Sequence, residues 1–388
     1  MLDATAADIF PLEGHGAPND RLPQTKGDTG LPAGTLVFSA DDHVSVGDDI
    51  FYDNFPANLK EYAPRLWRDE DGVFQIGMNG KSFLPPAFSE VVSHFERRPG
   101  CNAANVEARL ADMDAEGVDK SLVFPNEVLA TLAFPDHNLR ELCFQIYNEY
   151  IAEWQAKAPD RLYAVGLINW WDPAGTRRSL EQLKSLGLKT FLLPLNAFTF
   201  PDGTKIDYAG KAMIPVWEEI EASGIPVSHH IGEGDFGYDE HNRIAAAMIQ
   251  LVHSFREMFG KYVFGGILDR HPGLKVGWFE GGINWAVSTV QDATFLDASV
   301  KHTYNWPLKH TPEYYWRNNM SASFMIDPLG LEMIDRVGVE NAYWSTDYPH
   351  NESTLGYTRS SLRSVVEAVG VENATKIAGA NIAKFLGV

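Results

Sequence analysis

Only two cysteines, Cys101 and Cys143, occur in the 388 residues. Two are too few for a disulfide framework, and no Cys-x-x-Cys pair offers a thiolate metal site, so a reducing cytoplasmic setting is expected. Positive charge is scarce as well: 32 Lys and Arg stand against 52 Asp and Glu, for a formal net charge of -20. Nucleic acid and anionic membranes both need basic surface, so neither is expected as a partner. No apolar run approaches the roughly 18 residues that a membrane span requires. Met1 to Ala33 lack a basic start followed by an apolar core, so no signal peptide is expected. No G-x-G-x-x-G or Walker-type loop follows an early strand, which argues against an open nucleotide-binding sheet.

What is present reads as an ordinary globular chain, 45% hydrophobic and 22% charged. Residues 1–34, rich in Gly, Pro, Asp and Thr and without a period, predict an N-terminal arm. Apolar runs then predict eight strands: Thr35 to Ala40, Ser121 to Phe124, Leu162 to Ile168, Thr190 to Leu195, Ile225 to Ile231, Val276 to Glu280, Met320 to Met325 and Ala342 to Asp347. Helical patterns lie between them, including Val106 to Gly117 behind an Asn105 cap, Asp136 to Lys157, Gly175 to Leu186, Met213 to Ala222, Arg243 to Phe259 and Leu329 to Val337. Such alternation is the signature of an α/β fold, a (β/α)8 TIM barrel over residues 35–388. Residues 45–104, broken by prolines and rich in aromatics, read as an insertion after the first strand that caps the site. The segment from Ser361 to Phe385 has helical spacing and is expected to close the bottom or side of the barrel.

In a barrel, chemistry collects at the carboxyl ends of the strands, so the test is whether ligand-type residues recur there. Asp41 and His43 end the first strand and, two residues apart, share one face. His229 and His230 end the fifth; neighbours on a strand point oppositely, so only one can face the axis, and His230, followed by Ile231-Gly232, is taken as that one and His229 as a packed histidine. Glu280 ends the sixth, and the eighth runs through Asp347 to His350. Buried carboxylates without partners are expensive, whereas a bound dication neutralises them directly. His350 lies in a Pro-containing loop and is read either as a catalytic residue or as an exposed turn residue.

These residues carry a resemblance. Ser39-Ala40-Asp41-Asp42-His43, Pro226 to Gly232, His271 to Val276, Thr346-Asp347-Tyr348-Pro349-His350 and the closing Asn373 to Ile377 and Asn381 to Leu386 resemble the amidohydrolase superfamily. The similar branch includes amino-carboxymuconate-semialdehyde decarboxylase with related aromatic-acid decarboxylases and hydrolases. The resemblance implies a metal held by Asp41, His43, His230 and Asp347. It also marks a departure: decarboxylases of that branch place a histidine where Glu280 stands. The fourth strand ends without a lysine, so the carbamylated-lysine bridge of other superfamily members is not expected.

The expected function is therefore a metal-dependent hydrolase of a small, aromatic or cyclic, carbonyl or carboxylate substrate, acting through a metal-activated water. Asp347 is expected to move the proton, and Glu280 to orient the water or join the metal ligands. Tyr52, Trp67 and Phe83 of the insertion are expected against the substrate. Zinc is the first expectation, with manganese or iron as alternatives and one or two ions. The rival functions are a non-oxidative decarboxylase, a dinuclear non-haem iron monooxygenase on the same barrel, and a non-enzymatic binding protein. The chain is expected to form a homo-oligomer.

Overall fold

The computed structural model describes residues 29–47, 49–83, 89, 104–232, 249–303, 307–350 and 353–388. Most of the arm, Cys101 and the insertion residues 84–88 and 90–103 lie outside these. Strand β1 (Phe38–Val44) leads into the insertion, where helix α1 (Ile50–Asn54) precedes a small antiparallel sheet of β2 (Arg65–Arg68), β3 (Phe74–Met78) and β4 (Lys81–Ser82). Seven further strands follow: β5 (Lys120–Pro125), β6 (Leu162–Leu167), β7 (Thr190–Leu192), β8 (Val227–His230), β9 (Val276–Phe279), β10 (Met320–Phe324) and β11 (Ala342–Trp344). They join β1 in one eight-stranded sheet whose neighbours are consecutive and parallel, the (β/α)8 barrel that the alternation predicted. Both faces of such a sheet are covered, which is why its strands read as unbroken apolar runs.

Helices α2 (Val106–Glu116), α3 (His137–Gln155), α4 (Pro173–Leu186) and α5 (Ile214–Ser223) fall where the sequence places them. Asn105 accepts from Ala108 N at 2.8 Å to start α2, and left-handed Gly117 (φ 78°) ends it. Two expectations are corrected. Of the helix expected over Arg243 to Phe259, residues 243–248 lie outside the described ones, 249–252 form turns, and α6 runs His253–Val263. Ile249 is 78% exposed and anchors nothing, whereas Tyr262 and Val263 are buried and carry the helix onward. The helix expected over Leu329 to Val337 is two short ones, Pro328–Glu332 and Ile334–Val337, because Met333 (φ −100°, ψ 19°) leaves helical geometry between them.

The last helical segment, Thr358–Thr375 continuing to Leu386, packs at the foot of the barrel. Phe385 meets Tyr343 and Phe279 with ring centroids 5.7 and 6.1 Å apart. Gly379 passes so close to β1 that a Cβ would lie 2.4 Å from the Leu36 carbonyl oxygen. Large indoles fill the layer between strands and helices, and three of them hydrogen-bond there: Trp217 donates to Tyr208 O, Trp316 to Val337 O and Trp344 to Ser361 Oγ. Among the described residues no helix is long and apolar enough to cross a membrane.

Closure depends on one buried acid. Asp347 N donates to Asp41 O at 2.7 Å and His43 N to Tyr348 O at 2.6 Å, which joins the chain after β11 to β1. The Asp42 carboxylate accepts from Tyr348 N at 2.9 Å, from Ser39 Oγ at 3.0 Å, and from the hydroxyls of Thr346 and Ser121. It thus ties β1 to both neighbours. The register of β1 against β5 slips by one residue between Ser39 and Asp42, a bulge at the ligand-bearing end.

Candidate metal centre

Each acid and imidazole of the centre is delivered by a strand end. Because Asp42 turns into the seam, Asp41 and His43 turn into the mouth, as period-two alternation requires. His230 brings its Nε2 within 3.3 Å of Asp41 Oδ1 and 2.9 Å of Glu280 Oε2. Its Nδ1 faces Ile231 O at 2.6 Å, which orients the ring so that Nε2 points at the carboxylates. His43 Nε2 lies 3.1 Å from Asp347 Oδ1, 3.4 Å from Glu280 Oε2 and 3.8 Å from Asp41 Oδ1. His350 stacks on His43 at 3.8 Å between ring centroids, and its Nδ1 is 2.9 Å from Asp347 Oδ1. His350 is buried, so it is not an exposed turn residue. Glu280 (φ 67°) and Asp347 (φ 57°) both adopt left-handed backbone that non-glycine residues seldom take, a strain that clusters at functional sites.

The neighbouring histidine takes the other part. His229 stacks on Trp278 at 4.9 Å, with its ring nitrogens against Leu193 O and Tyr262 OH. Burial drives it down to about 3, so it stays neutral in the packing layer, as the alternation of strand residues requires.

The electrostatics are those of a site waiting for a cation. Burial raises Asp41 to about 6 against the opposing charge of His230. Burial, with the Glu280 charge, raises Asp347 to about 7 despite His43. Burial alone would lower His43, but Asp347 and Glu280 outweigh it and hold the imidazole at about 9. His230 is likewise held well above its usual range, its burial overcome by Asp41 and Glu280. Burial would raise Glu280, yet His230 and His43 keep it well below the carboxylate range. Asp41 Oδ2, both His43 nitrogens and both Asp347 oxygens are buried without an aligned hydrogen-bond partner. Imidazole and carboxylate atoms that converge with their hydrogen bonds incompletely met fit a divalent metal of the Mn, Fe or Zn type. They form two overlapping groups, Asp41-His43-His230 and His43-Glu280-Asp347-His350, with the ligand atoms of each within 4.8 Å of one another.

The insertion aromatics sit differently. Tyr52 lies under the Arg65 and Lys60 side chains, 4.0 and 4.8 Å from its ring centroid, and Trp67 faces the small sheet on β2 opposite Gln75. Phe83 meets Phe134 edge-on at 5.0 Å, in the loop region after β5. Three buried groups had no assigned role in the sequence reading. Asp42 holds the seam; Arg109 donates to the His43 carbonyl and covers the Tyr348 ring at 4.7 Å. Glu127, buried beside Ser45 and Val46, is pushed up to about 7 by burial. The one available signal was their position just beyond or between strands, which does not distinguish them from surface charges.

A family model described as amidohydrolase matches residues 100–388, well over half of the chain. The chain belongs to the amidohydrolase family. The matched stretch begins after Asp41 and His43, so β1 enters the site by geometry rather than by that match. This amidohydrolase is 26% identical over 293 residues to the gamma-resorcylate decarboxylase of Rhizobium sp. strain MTP-10005, covering 70% of this chain and 86% of that protein. An amidohydrolase of Mycobacterium avium subsp. paratuberculosis K-10 superimposes with a TM-score of 0.72 at 18% identity, covering 92% of this chain and 99% of the other. A dihydroxybenzoic acid decarboxylase of Polaromonas sp. JS666, with bound manganese and 2-nitroresorcinol, gives a TM-score of 0.64 at 17% identity, covering 91% and 97%. These superpositions speak for a shared barrel.

Proposed function

We propose that this amidohydrolase is a metal-dependent, non-oxidative decarboxylase of an aromatic carboxylic acid. The reading moves from hydrolysis, the first expectation, to its lyase alternative. What supports the move is the set of decarboxylases among the chain's relatives, including those of two genera acting on gamma-resorcylate. The observation in this chain that carries it is the placement of Asp347, a buried carboxyl whose Oδ1 lies 3.1 Å from His43 Nε2 and 2.9 Å from His350 Nδ1, between the ion-holding group and a second imidazole that can pass it a proton.

Asp41, His43, His230 and Asp347, with Glu280 beside them, are the residues that would hold the ion; manganese is proposed, by analogy with the bound metal of the dihydroxybenzoic acid decarboxylase. When bound, a divalent cation supplies Lewis acidity that anchors an acidic oxygen of the substrate and draws charge from its ring. Asp347 then gives its proton to the ring carbon that carries the carboxylate. The carbon takes that proton with a pair of ring electrons; its bond to the carboxylate then breaks, the bonding pair returns to the ring to restore the aromatic system, and carbon dioxide leaves. His350, in contact with Asp347 Oδ1, returns a proton to the emptied carboxylate. Glu280 keeps His43 and His230 in place from the opposite side. Burial of the whole group keeps bulk water from competing.

The test is carbon dioxide release from 2,6-dihydroxybenzoate and a panel of other aromatic acids by the manganese-loaded protein, with dissolved oxygen followed in parallel. Release of one carbon dioxide per ring product without oxygen uptake supports the proposal. No release from any acid, together with cleavage of aryl esters or lactones, would return the reading to hydrolysis. The hydrolase remains the second reading because Glu280 puts a carboxylate where a water could be oriented, 2.9 Å from His230.

A further inference from the structure

The acids and imidazoles of the centre come from β1, β8, β9 and β11, which leaves the arc of the mouth above β5, β6 and β7 to other residues. Phe124, near the end of β5, borders the centre on that side, with its ring 4.7 Å from His230 and 6.3 Å from His43; Trp170 and Trp171 follow β6 and Phe198 follows β7 on the same face. On that arc, in the first turn of α3, stands Arg140, 3% exposed. Its Nε and Nη2 both donate to the Phe134 carbonyl, at 2.8 and 2.5 Å. Among the described residues its Nη1 has no hydrogen-bond partner, and no carboxylate lies within ion-pair distance of the guanidinium.

The surroundings are aromatic. The guanidinium carbon lies 5.0 Å from the Trp171 ring, 5.6 Å from Phe198 and 5.7 Å from Trp170. Burial lowers the group to about 10, with the Asp136 charge opposing; Asp136 itself uses Oδ1 to accept from Asn138 N and Leu139 N. An arginine still carries its charge there, and a buried cation facing three rings with one amino group unspent is costly unless an anion completes it. A purely structural arginine would spend both ends of its fork on protein acceptors. Phe198, half-buried over the group, is held at φ 55°, in the left-handed region where a bulky side chain is strained.

We propose that Arg140, roofed by Trp171 and Phe198, is an anion subsite that takes a second carboxylate of an aromatic substrate whose reacting carboxyl group lies at the metal centre. The identity of the substrate rests on the decarboxylase reading; the subsite itself does not, since it needs no metal. It selects aromatic diacids over monoacids: the ring stacks on indole and the remote carboxylate receives the Nη1 protons.

The test uses the full chain, stripped with chelator or loaded with manganese, with benzoate and isophthalate as probes. Binding is read by calorimetry and by the tryptophan fluorescence that Trp170 and Trp171 contribute. Loaded wild type is expected to bind isophthalate about 10-fold tighter than benzoate, the size of one charge-assisted hydrogen bond. Arg140→Met is expected to erase that preference and to weaken isophthalate binding to the stripped protein by about the same factor, with manganese stoichiometry unchanged. Arg140→Lys, which keeps the charge but not the fork, is expected to fall between the two. Wild-type indifference between the probes, or a folded Arg140→Met that keeps the preference, overturns the proposal. Should Arg140→Met fail to fold, wild-type preference in Arg140→Lys overturns it. Absence of carbon dioxide release alongside Arg140-dependent binding would sink the decarboxylase reading alone; the reverse pattern would sink the subsite alone.

Discussion

His43 Nε2 and Asp347 Oδ1 lie 3.1 Å apart across the seam where the first and last strands of the barrel meet. Closure of the sheet and assembly of the centre are therefore one event: the backbone bonds that join these segments also place their side chains face to face. The consequences can be measured.

Metal binding must displace protons. His43 is held at about 9 and His230 well above its usual range, so both carry a proton at pH 7 that a metal-ligating imidazole has to lose. Manganese affinity is expected to rise with pH from 6.5 towards 9, by about tenfold per unit for each proton displaced. Calorimetric titrations in two buffers of different ionisation enthalpy count the released protons. An affinity that is flat across this range would contradict the arrangement.

Asp347→Asn keeps the shape of the side chain and removes the proton carrier. Turnover is expected to fall by about 10²-fold or more, the usual worth of a positioned acid or base. Glu280→Gln is expected to reduce activity less if its part is to hold His43 and His230, with the loss appearing in manganese affinity. Steady-state rates at saturating manganese, set beside the metal titration, separate the two roles; equal losses of turnover at saturation would show that Glu280 handles the proton as well.

Asp42→Ala should act on stability. It leaves the Tyr348 N–H and three hydroxyls without their shared acceptor, and Arg109 without the carboxylate 3.9 Å from its Nη1. Breaking such a buried network costs about 3–5 kcal/mol. Urea unfolding measures it, and a midpoint equal to that of wild type would remove Asp42 from the seam.

The barrel strands were legible because burial on both faces writes continuous apolar runs, and the candidate ligand residues because each stands at or just beyond the end of such a run. Alternation alone sends His229 and His230 to opposite sides of the strand; the choice of His230 for the mouth rested on the Ile231-Gly232 that follows it. Chain-local signals ran out at α6, where Ile249 suits a helix by pattern but is left exposed, and at Met333, an exposed residue outside helical geometry that parts one expected helix into two. Asp42, Glu127 and Arg140 owe their burial to residues far away in the chain, so no local pattern marks them. The placement of Tyr52 beneath Arg65 is of the same kind, a contact made by the folding of the insertion on itself.

Glu127 gives a pH signature of its own. Its folded value of about 7 lies above the ordinary 4.5, so between these the folded chain keeps a proton that the unfolded chain has lost. Stability from this residue is thus fully present below pH 4.5 and lost as pH rises towards 7. Glu127→Gln, neutral at every pH, is expected to melt a few degrees above wild type at pH 8 and with no advantage at pH 4.5. Thermal melts at the two pH values check it; an equal shift at both would show that the carboxyl group is not titrating in this window.

The central claim is that residues from four strand ends share a divalent cation. Manganese titrated calorimetrically into the chelator-stripped protein tests it most directly, beside His43→Ala, since His43 belongs to both ligand groups. The account predicts at least one ion per folded wild-type chain and a loss of about 10²-fold or more in affinity in the variant, with the barrel's circular dichroism retained. No stoichiometric binding to wild type, or equal binding to His43→Ala, would contradict it.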